Sequence, residues 1–213
     1  MAEAYAHRLA RLDPAGFLLP HAARRLCLLT GQSDFATSAL AADKLAFLAR
    51  VAPAETLVTP VGFPWHAAFA APAAKPVPIV MASVRNARQW IWARRNSLYR
   101  DALAEIVATL IARTEQRLLL VTGSCGVDLL ADALGRLPAS GPEIRAAIVG
   151  PAGRMPPAGR LAGRLVVQGR RDTWSRMLWR GPVDVRPDCG HLGYYEDDAT
   201  RAAIAAFFAE PRS

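Results

Sequence analysis

The chain reads as an α/β protein, a mostly parallel sheet of about six strands flanked by helices on both faces. Three observations predict this. From residue 24 onward, short apolar runs alternate with longer segments of helical period, the pattern of strands joined by covering helices. One run, LLLVTGSCGVDLL from Leu118 to Leu130, passes through a small polar knot straight into apolar residues at helical spacing. The 213 residues, 52% hydrophobic and 21% charged, suffice for one well-buried core. A single domain is expected over 1–213, with residues 1–23 as an N-terminal extension and 24–209 as the core.

The first strand is RRLCLLTG, residues 24–31, ending at Gly31-Gln32-Ser33-Asp34, whose small and capping residues suit a turn into a helix. That helix, about 35–51, carries Leu40, Leu45, Leu48 and Val51 near a single face. ETLVTPVG, 55–62, is the second strand. Residues 63–82 hold Pro64, Pro72, Pro76 and Pro78, which describe an irregular connection. A long helix follows from about Ser97 to Arg113, with Leu98, Leu103, Ile106, Val107, Leu110 and Ile111 repeating at three and four. The third strand is 117–122, followed by a helix to about Leu137; 143–150 and 163–169 are the fourth and fifth strands. VDVRPD, 183–188, is a weaker sixth, ahead of a final helix from about Asp197 to Ala209.

Composition excludes several classes. No apolar run reaches the roughly 20 residues that cross a bilayer, and the start MAEAYAHRLARLDPAG lacks the apolar core of a secretion signal, so a cytoplasmic protein without a membrane partner is expected. Cys27, Cys125 and Cys189 are an odd set without metal-type spacing, which suits reduced thiols and indicates neither a metal nor a disulfide framework. The net charge of +8 comes mostly from arginines scattered through every segment rather than interleaved with aromatics on one element, and no phosphate-cradling glycine loop is present, so no nucleic-acid partner is expected. Only residues 85–100, RNARQWIWARRNSLYR, form a patch, read first as a solvated helix surface and second as an attractor of an acidic partner or an anionic substrate.

At the end of a parallel strand the chain must reverse sharply into its helix, and the residues two places either side of the tip crowd together unless small. Centred on Ser124 these are Thr122 and Gly126; centred on Cys125 they are Gly123 and Val127. The serine frame fits better. Here the sequence resembles the α/β-hydrolase family, with TGSCG as its nucleophile elbow and threonine in place of the first glycine.

The resemblance implies an order of Ser, then acid, then His, each on a loop leaving the carboxyl end of a strand. Asp172 follows the fifth strand in VVQGRRDTWS, and His191 follows the sixth run in DCGHLGYYEDD. Taken alone, Asp172 is also a good N-cap for TWSRMLW, and His191 is also an ordinary loop histidine. Together they are the partners that a serine hydroxyl needs, a base to take its proton and a carboxylate to fix the base's tautomer. The family's oxyanion hole would use the amides of Cys125 and of Gln32, in the small turn Thr30-Gly31-Gln32. Phe63 and Trp65, with Phe69, are candidate substrate contacts, with core packing as their other reading.

The resemblance covers about 24–209, lacks room for the first two strands of the full family sheet, and leaves only 13 residues, PAGRMPPAGRLAG, where relatives insert a lid. It implies a lidless serine hydrolase, a carboxylesterase or thioesterase, cleaving an acyl ester or thioester through a Ser124-His191-Asp172 triad and an acyl-enzyme. Its substrate would be a small acyl molecule, free or presented on an acidic carrier protein, and it needs no cofactor. The rival reading is a non-catalytic interaction protein of the same fold with a degenerate site, suggested by Thr122, Val127 and the short spacing between Asp172 and His191.

Overall fold

A computed structural model describes residues 2–32, 34–71 and 79–210. Among the described residues, five parallel strands make one sheet: β1 (Ala22–Thr30), β2 (Leu57–Val58), β3 (Thr114–Gly123), β4 (Glu143–Val149) and β5 (Gly163–Val167), in the order β2-β1-β3-β4-β5. The helices are α1 (Ala2–Leu9), α2 (Ala42–Val51), α3 (Ile79–Arg95), α4 (Ser97–Ala112), α5 (Gly126–Arg136), α6 (Thr173–Leu178) and α7 (Asp198–Ala209).

Alternation along the central strands divides the core in two. Leu118 and Leu120 of β3 pack into one cluster with α1, α4 and α5, while Leu119 and Val121 pack into the other with α2 and α7. Helices therefore cover both faces, and a continuous apolar run is what such a doubly buried strand requires. The register pairs Thr30 with Gly123 and Gly123 with Val149, which brings the carboxyl ends of β1, β3 and β4 level.

Four expectations need correction. Residues 183–188 are not a sixth strand; they touch β5 through a single parallel bridge, Val167 to Val185. The Asp184 carboxylate accepts from the Val166 N–H at 2.7 Å and takes the place of a main-chain partner, while Pro182 and Pro187 have no N–H to donate. The helix placed at 35–51 begins only at Ala42, because Asp34 and Thr37 accept from the N–H groups of Ala36 and Ala39 and Ala39 bridges to Val61. The second strand shrinks to two residues between Glu55, at φ 59°, and Pro60. Finally, residues from Ile79 onward, expected as part of an irregular connection, form α3; Pro72, Pro76 and Pro78 lie outside the described residues, as does Ser33.

The segment expected as an extension is part of the core. Tyr5, Ala6, Leu9 and Leu19 are buried in the cluster that α4 also lines. The arginine patch at 85–100 is largely tied down rather than free. Arg94 forms a two-pronged pair with Asp128 at 3.0 and 3.1 Å, and Arg100 reaches Asp132 at 2.8 Å, so both fasten the α3–α4 region to α5.

Candidate functional site

β3 delivers Ser124 to a strained turn. Its φ is +52°, a left-handed backbone that a residue with a Cβ adopts at a cost of roughly 1–3 kcal/mol. The turn is held by Ser124 N–H donating to the Val149 carbonyl at 3.2 Å and by Ala152 N–H donating to the Ser124 carbonyl at 3.1 Å. Helix α5 starts two residues later. The small residue at 126 is required by the backbone of β1: a Cβ on Gly126 would land on the Leu29 carbonyl oxygen and lie 3.0 Å from Thr30 Cα. Thr122 and Val127, the departures from the expected motif, are both wholly buried, Val127 within the core cluster that includes Leu29 and Leu120.

Ser124, His191 and Asp172 are brought together. His191 Nδ1 lies 2.9 Å from Asp172 Oδ2, and His191 Nε2 lies 3.2 Å from Ser124 Oγ. Burial alone would raise the Asp172 carboxyl, but hydrogen bonds from His191, the Ser175 N–H and Tyr194 outweigh it and hold the group below its usual value. An ionised carboxylate only accepts, so Nδ1 carries a proton and donates, and a ring holding that single proton leaves Nε2 to accept from the serine hydroxyl. The N-cap reading of Asp172 holds at the same time: Oδ1 accepts from Ser175 N–H at 2.9 Å while Oδ2 faces the imidazole.

Two positions missed in the sequence shape this arrangement. Tyr194 donates to Asp172 Oδ2 at 2.6 Å and accepts from the Gly169 N–H at 2.7 Å. Burial, with the neighbouring Asp172, pushes its hydroxyl far above the ordinary tyrosine range, so it stays a donor. Gly150, at φ +52°, leaves room for both groups, since a Cβ there would lie 2.9 Å from Asp172 Oδ2 and closer still to the Tyr194 ring. Tyr194 had no local signal, whereas a glycine directly after a buried strand was visible.

Cys125 is the N-cap of α5, and its carbonyl accepts from the N–H groups of Asp128 at 3.0 Å and Leu129 at 3.2 Å. Burial first, then the charge of Asp128, pushes its thiol up to about 12, which keeps it protonated and poorly reactive. The thiol faces the turn after β1: a Cβ on Gly31 would land on Cys125 Sγ and lie 2.7 Å from Asn86 Oδ1. Asn86, on α3, was not anticipated, and its Oδ1 is buried with no hydrogen-bond partner. The Gln32 side chain accepts from the Tyr5 hydroxyl and donates to the Thr37 carbonyl at 2.8 Å, which anchors the turn that carries its amide.

Phe63 and Trp65 do not reach the surface as substrate contacts. They are 3% and 0% exposed and pack edge to face in the core at 5.6 Å, and Phe69 is likewise buried with the Arg8 guanidinium 3.8 Å above its ring. A surface hollow of about 520 Å³ lined by Asp101, Ala104, Glu105 and Arg136 contains none of the three gathered residues.

No family model, no curated protein and no solved structure matches the chain.

Proposed function

We propose that this chain is a serine hydrolase with a reduced α/β-hydrolase fold, cleaving an acyl ester or thioester. The observation that carries the reading is the hydrogen-bonded line from Ser124 through His191 to Asp172, with its serine raised on a left-handed turn at the carboxyl edge of a parallel sheet. In this reading Ser124 Oγ attacks the acyl carbon as its proton passes to His191 Nε2, while Asp172 keeps the ring in place and offsets its new charge. The negative oxygen of the tetrahedral intermediate is held by the amides of Cys125 and Gln32. Collapse expels the alcohol or thiol, which takes the proton from His191, and water activated by the same nitrogen then releases the acid from Ser124.

A fluorophosphonate probe tests the proposal, since it labels only serines activated in this way. Labelling that disappears in Ser124→Ala and slows by about 10⁴ in Asp172→Asn supports it. Absence of labelling in the intact protein, or labelling that survives Ser124→Ala, would leave the non-catalytic reading.

A further inference from the structure

Of the seven large apolar side chains exposed among the described residues, four lie in the two chain segments that carry the acid and base of the site. Trp174, Met177 and Leu178 are 63%, 59% and 49% exposed, and Leu192 is 69% exposed. The first three share one face of α6 by their spacing of three and four, and the opposite side of this segment is buried through Ser175 and Trp179. Asp172 caps this helix and Leu192 directly follows His191, so the apolar face and the reactive line rest on the same two loops. Around it Arg170, Arg176 and Arg180 are exposed, and among the described residues none of the three is paired with a carboxylate. Arg171 alone has such a partner nearby, Asp188 at 3.2 Å.

We infer that this face docks the protein on an anionic lipid surface, so that amphiphilic acyl substrates enter the site from that surface. The inference rests on the hydrolase reading for the purpose the contact serves, not for the contact itself. A protruding set of tryptophan, methionine and leucine flanked by cations is what a peripheral protein inserts at the headgroup boundary. No helix among the described residues is long and apolar enough to cross a membrane, so the contact lies on the surface rather than through it. A second copy is disfavoured as occupant because it would bring the same unpaired arginines against these, on a chain of net charge +8. An acidic protein is disfavoured by size: four side chains offer well under the roughly 800 Å² per partner that a specific complex buries, whereas insertion into a fluid boundary has no minimum footprint.

The test is sedimentation of the full chain with phosphatidylcholine vesicles and with vesicles of mixed phosphatidylcholine and phosphatidylglycerol. Binding to the mixed vesicles is expected to be about 100-fold tighter, the combined effect of Arg170, Arg176 and Arg180 near charged headgroups, and to weaken with salt. Met177→Asp and Leu178→Asp, both on the surface, should each reduce it by about tenfold or more, with circular dichroism and fluorophosphonate labelling unchanged. Binding to neither vesicle, equal binding to both, or variants that sediment like the parent would overturn the inference. So would a concentration-dependent dimer that Met177→Asp dissolves, or an acidic protein that binds this face while vesicles do not. Labelling of Ser124 without vesicles reports the hydrolase reading separately: vesicle binding without labelling removes that reading and leaves the docking face, and labelling without vesicle binding removes the docking face alone.

Discussion

Tyr194→Phe deletes one oxygen and shows how the aspartate is held. That oxygen donates to Asp172 at 2.6 Å and accepts from Gly169 N–H at 2.7 Å, on a residue only 2% exposed, so water does not replace either bond. Losing a hydrogen bond to a charged group is worth about 1.5–3 kcal/mol, and leaving a buried N–H unpaired about 1–3 kcal/mol. Because both bonds meet at a single atom, the two losses overlap, and a total of about 2–4 kcal/mol is expected. In a domain of this size that lowers Tm by roughly 4–16 °C, measurable by circular dichroism. Acid titration provides a second readout. A carboxyl held below its usual value contributes stability that is full above the unfolded value of about 3.9 and is lost as pH falls through the folded one. Removing a donor raises the folded value, so the deficit of Tyr194→Phe should narrow as pH falls through that window. A variant that melts within about a degree of the parent, with a pH-independent gap, would refute the account.

Ser124→Gly relieves the left-handed turn and is expected to leave stability unchanged or raise it by up to about 1 kcal/mol, while abolishing labelling; a loss of more than about 1 kcal/mol in denaturant would contradict the strain. Gly126→Ala drives a methyl into the β1 backbone at Leu29 and Thr30, and should cost more than about 3 kcal/mol or prevent soluble expression; a normal melting curve would contradict the close approach. The Cys125 thiol, pushed up to about 12 by burial, should resist iodoacetamide at neutral pH, and Cys125→Ala should keep fluorophosphonate labelling because its proposed contribution is the amide. Rapid alkylation of Cys125, or lost labelling in the alanine variant, would point to the thiol instead.

The parts of this fold legible in the sequence are those fixed by local pattern. β1, β3 and β4 each hold an apolar run of four in their carboxyl halves (residues 26–29, 118–121 and 146–149), and α4 and α5 follow from helical period. The meeting of Ser124, Asp172 and His191 was legible as an order along the chain, because loops leaving the same edge of a parallel sheet converge. Through-space contacts were not legible. Tyr194 reads as one of two adjacent tyrosines in an acidic loop, and nothing local assigns its hydroxyl to Asp172 rather than to water. Asp128 gave a weak hint, a carboxylate inside the apolar run of α5, but its partners Arg94 and Arg154 come from distant segments. VDVRPD failed as a strand because a side-chain carboxylate can take over the edge of β5, an option that apolar alternation does not reveal.

The acyl-enzyme is the most direct test of the central claim. The protein is mixed with an activated short-chain aryl ester, quenched within milliseconds, digested and analysed by mass spectrometry. The account predicts a burst of one leaving group per chain and one acyl group on the peptide containing Ser124, formed about 10⁶-fold more slowly in His191→Ala. No adduct on Ser124, with ester turnover absent or untouched by Ser124→Ala, would contradict it.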